Sequence, residues 1–174
     1  MSSTTSSRGN PAFGDIVRSM VVIAVILLGL YGVGQLFTND DKVEAETVDY
    51  ASVVAQARPA ATFPLAAPSE LPKGWRATSA RFQTNGWHLG VLTGSGDYVG
   101  LEQLRASVDR SVDKFADGSK PAGTAEVAGQ TWTVRSGPKG RWTYVRSEDG
   151  LTTLVNTTAS RAVLERYIAS LSTS

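Results

Sequence analysis

The strongest constraint on this chain is an apolar stretch of 21 residues, Ser19 to Asn39, that contains no charged side chain. As an α-helix it would be about 30 Å long, which matches the hydrocarbon core of a bilayer. Arg18 precedes the stretch and Asp40 follows it. A secretory signal peptide is the alternative, but its apolar run is shorter and ends at a small-residue cleavage site. We therefore predict an uncleaved transmembrane helix over residues 19–39.

Basic residues on the two sides of this helix predict its orientation. Arg8 and Arg18 precede the helix, whereas Lys42 is the only basic residue close behind it. Because basic residues are retained on the inner side of a membrane, we expect the leader over residues 1–18 to be cytoplasmic. Its Ser/Thr-rich composition favours disorder. The rest of the chain is then extracytoplasmic, and the lipid bilayer is a predicted partner of residues 19–39.

Residues 40–71 have the composition of a stalk. Their first part is acidic, with a net charge of −4 over residues 40–70, and their second part is rich in Ala and Pro. Apolar residues at helical spacing predict a short helix near residues 48–58, and they are Tyr50, Val53, Val54 and Ala57. The prolines after it favour an extended chain. We predict a spacer whose helix can dock on the domain that follows.

Residues 72–174 show the patterns of an α+β domain. Polar and apolar residues alternate in seven segments, near 75–82, 87–91, 98–103, 124–127, 131–135, 141–147 and 151–157. Asn85-Gly86 and Asp149-Gly150 are favoured hairpin pairs. After the third segment, apolar residues recur at helical spacing and predict a helix with the stripe Leu104, Val108, Val112 and Phe115. A second helix is predicted from about Ser160.

The order of these elements is β-β-β-α-β-β-β-β-α. Because short turns join antiparallel neighbours, the simplest architecture is a twisted antiparallel sheet of about seven strands with the helices packed on it.

Composition excludes several kinds of chemistry. The chain has no cysteine and one histidine, so disulfides, thiolate metal sites and cysteine nucleophiles are absent. A zinc site would have to be built from carboxylates. Neither a dinucleotide fingerprint nor a phosphate loop occurs in the sequence, and we expect no cofactor.

Two strands contain the candidates for catalysis. Alternation places His88 on the face opposite Trp87, and it places Glu102 on one face with Tyr98 and Gly100, where the glycine leaves room. A hydrolase would use Glu102 or His88, but a Ser-His-acid triad requires residues to converge in space. A structural hydrogen bond or an exposed histidine is the alternative interpretation.

Basic residues surround one predicted hairpin. Arg135, Lys139 and Arg141 flank its turn, and Arg146 lies nearby on a strand that also contains Trp142. Basic and aromatic side chains together are typical of surfaces that bind anionic polymers. An outward-facing domain makes nucleic acid an implausible partner, so an envelope protein or a cell-wall polymer is expected. Protection of an edge strand by charge is the alternative.

Four segments resemble a known family. They are Pro-Ser-Glu-Leu-Pro-Lys-Gly-Trp at 68–75, Thr-Ser-Ala-Arg-Phe at 78–82, Trp-His-Leu-Gly at 87–90 and Tyr-Val-Gly-Leu-Glu-Gln at 98–103. Together with the apolar segment, they resemble an actinobacterial membrane-protein family designated domain of unknown function 4245. The resemblance implies a bacterial, single-pass, extracytoplasmic setting and supplies no catalytic residue. We expect a membrane-anchored, non-enzymatic binding or accessory module of the cell envelope, with an envelope hydrolase as the alternative.

Overall fold

A seven-stranded antiparallel sheet is the centre of the computed structural model, which describes residues 47–173. In chain order, the strands are β1 (Ala67–Pro68), β2 (Arg76–Gln83), β3 (Gly86–Leu92), β4 (Tyr98–Leu104), β5 (Lys120–Val127), β6 (Gln130–Ser136), β7 (Trp142–Glu148), β8 (Leu151–Thr157) and β9 (Leu171–Ser172). The large sheet has the order β2-β3-β4-β8-β7-β6-β5, and β1 pairs separately with β9. The predicted α+β class and the antiparallel sheet of seven strands are confirmed.

Local turn chemistry explains the sequential pairing within each half of the sheet. At the β7–β8 turn, Asp149 has φ 50° and Gly150 has φ 75°. A two-residue hairpin needs positive φ at both positions, and Asp-Gly is a favoured pair for it. The pairing of β4 with β8, in contrast, joins distant parts of the chain.

Three helices cover the two faces of this sheet. They are α1 (Tyr50–Ala57), α2 (Val108–Phe115) and α3 (Arg161–Ala169). Each helix is preceded by an N-cap residue whose side chain accepts a hydrogen bond from a backbone N–H of the first turn. These residues are Asp49, Ser107 and Ser160. Buried side chains of α1 and α3 belong to one apolar cluster, and those of α2 belong to another. We call the sheet face under α1 and α3 the core face, and the opposite one the α2 face.

The core face contains most of the buried apolar surface. Trp87, Leu89 and Leu101 are at most 1% exposed there. Leu164, Tyr167 and Ile168 of α3 pack against the same cluster. On the α2 face, by contrast, apolar packing is limited to Val112, Ala116, Val145, Leu154 and their neighbours Leu104 and Phe115. A large part of the α2 face is therefore left for polar residues.

The predicted apolar stripe of α2 was wrong in two positions. Leu104 ends strand β4 instead of starting the helix, and Val108 is 37% exposed. Helix α2 is only eight residues long. Its sheet contact is therefore made by its later residues, Val112 and Phe115, followed by Ala116.

Residues 47–71, which we predicted as part of a spacer, pack against the sheet. Val54, Phe63 and Leu65 are at most 6% exposed, and the Tyr50 hydroxyl donates to the Pro68 carbonyl at 3.2 Å. The Ala/Pro-rich segment contains enough apolar side chains to be buried, so its extended conformation covers the core face. The short helix predicted near residues 48–58 is α1.

The predicted leader and transmembrane helix, over residues 1–18 and 19–39, lie outside the described residues. Within residues 47–173, no helix combines the length and the apolar character needed to cross a membrane.

Candidate functional site

Three polar side chains form a hydrogen-bonded chain on the α2 face. His88 Nδ1 lies 2.5 Å from Glu102 Oε1, and His88 Nε2 lies 2.7 Å from Ser79 Oγ. Glu102 is 6% exposed, whereas the side chain of His88 is 24% exposed. Since an ionised carboxylate only accepts hydrogen bonds, Nδ1 carries a proton in this contact, and Nε2 lies within hydrogen-bond distance of the serine hydroxyl.

Strand register brings these three residues together. His88 lies directly opposite Glu102 in the β3–β4 pair. The register of β2 against β3 shifts between Ala77 and Ser79, so that Ala77 is buried in the core cluster while Ser79 lies beside Gly90. A bulge of this kind interrupts the alternation of side chains, so Ala77 and Ser79, two residues apart, lie on opposite faces of the sheet. Ser79 therefore reaches His88 on the α2 face.

Tyr98 lies over two glycines next to this chain. A Cβ on Gly100 would be 2.9 Å from the Tyr98 hydroxyl oxygen, and a Cβ on Gly90 would be 3.0 Å from the same atom. A Cβ on Gly90 would also be 2.5 Å from Ser79 Oγ. The two glycines thus give room to the tyrosine ring and the serine hydroxyl.

Cations surround this aromatic and polar group. Burial, followed by the negative charge of Glu102, raises the pKa of Tyr98, while Arg141 and Arg81 act in the opposite direction. A cavity of about 300 Å³ lies beside these residues, and we call it the polar hollow. Its lining includes Arg81, His88, Glu102, Lys114 and Phe115.

The sheet separates Arg146 from Arg135, two of the four basic residues predicted as one surface. Arg135 donates from Nε to Ser119 Oγ at 2.8 Å, which gives it a structural role. Arg141 follows the turn at Pro138–Gly140, in which Lys139 has φ 57°. Arg146 lies on the core face, where it donates to Gln130 and Glu148. Of this group, only Arg141 is close enough to Tyr98 to affect its pKa.

Tyr98, His88 and Glu102 were identified from the sequence, but Ser79, Arg81 and Lys114 were not. A turn at the predicted Asn85-Gly86 pair would have placed Gln83 opposite His88, but the turn lies one residue earlier, at Thr84-Asn85, and this places Arg81 opposite His88. Ser79 depends on the bulge, and Lys114 depends on where α2 packs. Neither of these is readable from local patterns.

The arrangement supports two kinds of chemistry. A buried carboxylate, an imidazole and a serine in sequence match the hydrogen-bonding order of a nucleophilic triad. His88 and Glu102, together with Arg81 and Lys114, line a charged hollow for an anionic group. Among residues 47–173, no group of three His, Cys, Asp or Glu side chains is placed to hold a metal ion.

Comparison with known proteins gives one match. The model of a family described as Protein of unknown function (DUF4245) matches residues 8–171. No curated protein matches the chain, and no solved structure matches it.

Proposed function

We propose, from the premise that this chain belongs to the DUF4245 family of proteins of unknown function, that it is a membrane-anchored, extracytoplasmic binding or accessory module of a bacterial envelope. The setting is that of a single-pass actinobacterial membrane protein with a cytoplasmic N-terminus. Its binding site is the polar hollow on the α2 face. The partner carries carboxylates or phosphates, as anionic cell-wall polymers and acidic envelope proteins do.

The charge around the hollow is the observation that supports this proposal. Arg81 and Lys114, which line the hollow, have no carboxylate within 4.0 Å among the described residues. Glu102, the single carboxylate of the hollow, is already hydrogen-bonded to His88. Cations without a carboxylate partner attract an anion, and the low-dielectric walls of a hollow strengthen that attraction.

Binding is tested with the full-length protein in lipid nanodiscs and isolated cell-wall fragments. Co-sedimentation should decrease as salt rises, because the attraction is between exposed charges. Arg81→Glu with Lys114→Glu should weaken binding about tenfold or more, a loss of about 1.4 kcal/mol for each factor of ten. Arg166→Glu is the matched control, since this exposed residue is on α3, which covers the opposite face.

The proposal fails if the double variant and the control bind cell walls equally well. If neither wall fragments nor acidic peptides from the envelope bind the unmodified protein, the binding role itself is wrong.

The uncharged stretch at residues 19–39 supports the anchor and the orientation. A reporter that is active only outside the cytoplasm, fused after Ser174, should be active. A reporter that works only in the cytoplasm should be silent at the same position. A silent outside reporter on a stable, membrane-bound protein would contradict the extracytoplasmic setting.

An envelope hydrolase is the second candidate, and the Ser79–His88–Glu102 chain is the observation that favours it. Ser79 would attack a carbonyl while His88 Nε2 takes its proton. One feature favours binding over catalysis. Ser79 is not among the residues that line the polar hollow.

A fluorophosphonate probe separates the two candidates. A serine activated by His88 would displace fluoride and form a phosphonyl ester at Ser79, which peptide mass spectrometry locates. Labelling that is lost in both Ser79→Ala and His88→Ala would establish the hydrolase. We expect no labelling of Ser79, with cell-wall binding unaffected by Ser79→Ala.

A further inference from the structure

A second cavity lies on the core face, away from the polar hollow. Its volume is about 550 Å³, within the range of small-molecule sites. The strand side of the cavity includes Trp132 and Leu151, and the other side includes Phe63, Ile168 and Leu171. The apolar side chains come from four separate parts of the chain, so the cavity exists only in the folded domain.

Trp132, one of the residues that line this cavity, has an unsatisfied donor. The indole of Trp132 is 2% exposed, and its Nε1 has no hydrogen-bond partner among the described residues. The indole of Trp87 on the same face, by contrast, donates to the Ala66 carbonyl at 2.9 Å. An unpartnered buried donor costs about 1–3 kcal/mol, so such groups in native proteins are usually satisfied by water or by a ligand.

A cation without an acidic partner lies at the edge of the same cavity. The Arg105 guanidinium donates from NH2 to the Thr62 carbonyl at 2.5 Å, and no carboxylate of the described residues lies within 4.0 Å of it. The second cavity arginine, Arg146, is already paired with Glu148. Arg105 is therefore the group with free capacity for an anion.

We propose that this cavity binds a small amphiphilic monoanion, whose apolar body contacts Trp132 and Leu151 and whose carboxylate or phosphate end pairs with Arg105. This site is independent of the polar hollow, since the two lie on opposite faces of the sheet. Either binding proposal can therefore fail without the other.

Three probes separate the contributions of the body and the charge. 3-Phenylpropionate has both an aromatic body and a carboxylate, 3-phenylpropanol has the body alone, and propionate has the charge alone. The full-length protein in nanodiscs, containing 5-fluorotryptophan, is titrated with each probe and followed by fluorine NMR, with empty nanodiscs as the control. The chain has four tryptophans, so four signals are expected.

Trp132→Phe identifies the signal of Trp132. If that variant does not fold, replacing Trp75, Trp87 and Trp142 one at a time identifies it by elimination. We expect 3-phenylpropionate to shift the Trp132 signal to saturation, at a concentration about tenfold lower than 3-phenylpropanol and far lower than propionate.

Arg105→Gln tests the charge while it retains an amide donor for the Thr62 carbonyl. In this variant 3-phenylpropionate should no longer bind more tightly than 3-phenylpropanol. Arg166→Gln on α3 should leave the difference in affinity between the two probes unchanged. The proposal is overturned if no probe shifts the Trp132 signal, which would indicate that water satisfies the indole. It is also overturned if acid and alcohol bind equally to the unmodified protein.

Discussion

His88 and Glu102 lie directly opposite each other on adjacent strands, and their side chains meet at 2.5 Å. The chain has no other histidine, so the NMR signals of this imidazole can be assigned without a variant. The carboxylate accepts from Nδ1–H, and the Ser79 hydroxyl lies 2.7 Å from Nε2.

The first prediction concerns this contact. Long-range proton–nitrogen NMR should show a proton on Nδ1 of His88. His88→Ala leaves Glu102 buried without its partner, so the free energy of unfolding in urea should fall by about 1–3 kcal/mol. An imidazole without a proton on Nδ1 would contradict the hydrogen-bond direction given above.

The second prediction concerns Gly100. A Cβ there would be 2.9 Å from the Tyr98 ring and 3.0 Å from Asn156 Oδ1. Gly100→Ala should therefore destabilise the protein by about 1–3 kcal/mol in thermal unfolding. Gly94→Ala is the control, because its added methyl would have ordinary contacts of 3.6 Å or more.

Tyr98 is the residue that makes Gly100 necessary, so the two substitutions should be coupled. In a Tyr98→Ala background, Gly100→Ala should cost less than it does alone. Equal costs in both backgrounds would mean that Tyr98 is not what fills the space over the glycine.

The third prediction concerns the segment before the sheet. A fragment over residues 47–174 should fold in detergent-free buffer, whereas one over residues 72–174 should not. The shorter fragment lacks Val54, Phe63 and Leu65, which are buried and stabilise by about 1.5–3 kcal/mol each. Circular dichroism and urea unfolding measure the difference, and equal stability of the two fragments would show that this segment is dispensable.

The fourth prediction concerns alkaline pH. Burial raises the pKa of Tyr167, which is in the core and has an unpartnered hydroxyl. The folded state therefore holds this proton more tightly than the unfolded state. The resulting stability is complete below the ordinary tyrosine pKa of about 10 and is lost as pH rises towards the raised value.

Tyr167→Phe removes the titrating group while it retains the ring that stacks on Trp75 with centroids 6.1 Å apart. Unfolding free energy should change by less than about 1 kcal/mol at neutral pH, because no hydrogen bond is lost. Above about pH 10 the variant should lose stability less steeply than the unmodified protein. Parallel stability curves across this range would contradict the prediction.

Local patterns predicted the elements of the fold well. Alternation at Trp87, Leu89 and Val91, and turn pairs such as Asp149-Gly150, depend on neighbouring residues alone. Patterns were less informative where an element is short. Val108 has helical spacing from Leu104, but the helix starts only at Val108 and leaves it exposed.

The site was only partly predictable for a related reason. Alternation gives the face on which a residue lies, so His88, Tyr98 and Glu102 were identified as candidates. It does not give the register between neighbouring strands. The relation between Arg135 on β6 and Arg146 on β7 was therefore not predicted, and the two lie on opposite faces of the sheet.

The sequence by itself determined the strands, their turns and the polar character of the α2 face, because these depend on side-chain periodicity and local backbone preferences. Only the tertiary structure decided that Ser79 meets His88, that Lys114 borders the same hollow and that residues 47–71 belong to the core. Each of these depends on a bulge, a helix position or a long-range contact. Such features are set by how the whole chain packs, and no short segment contains that information.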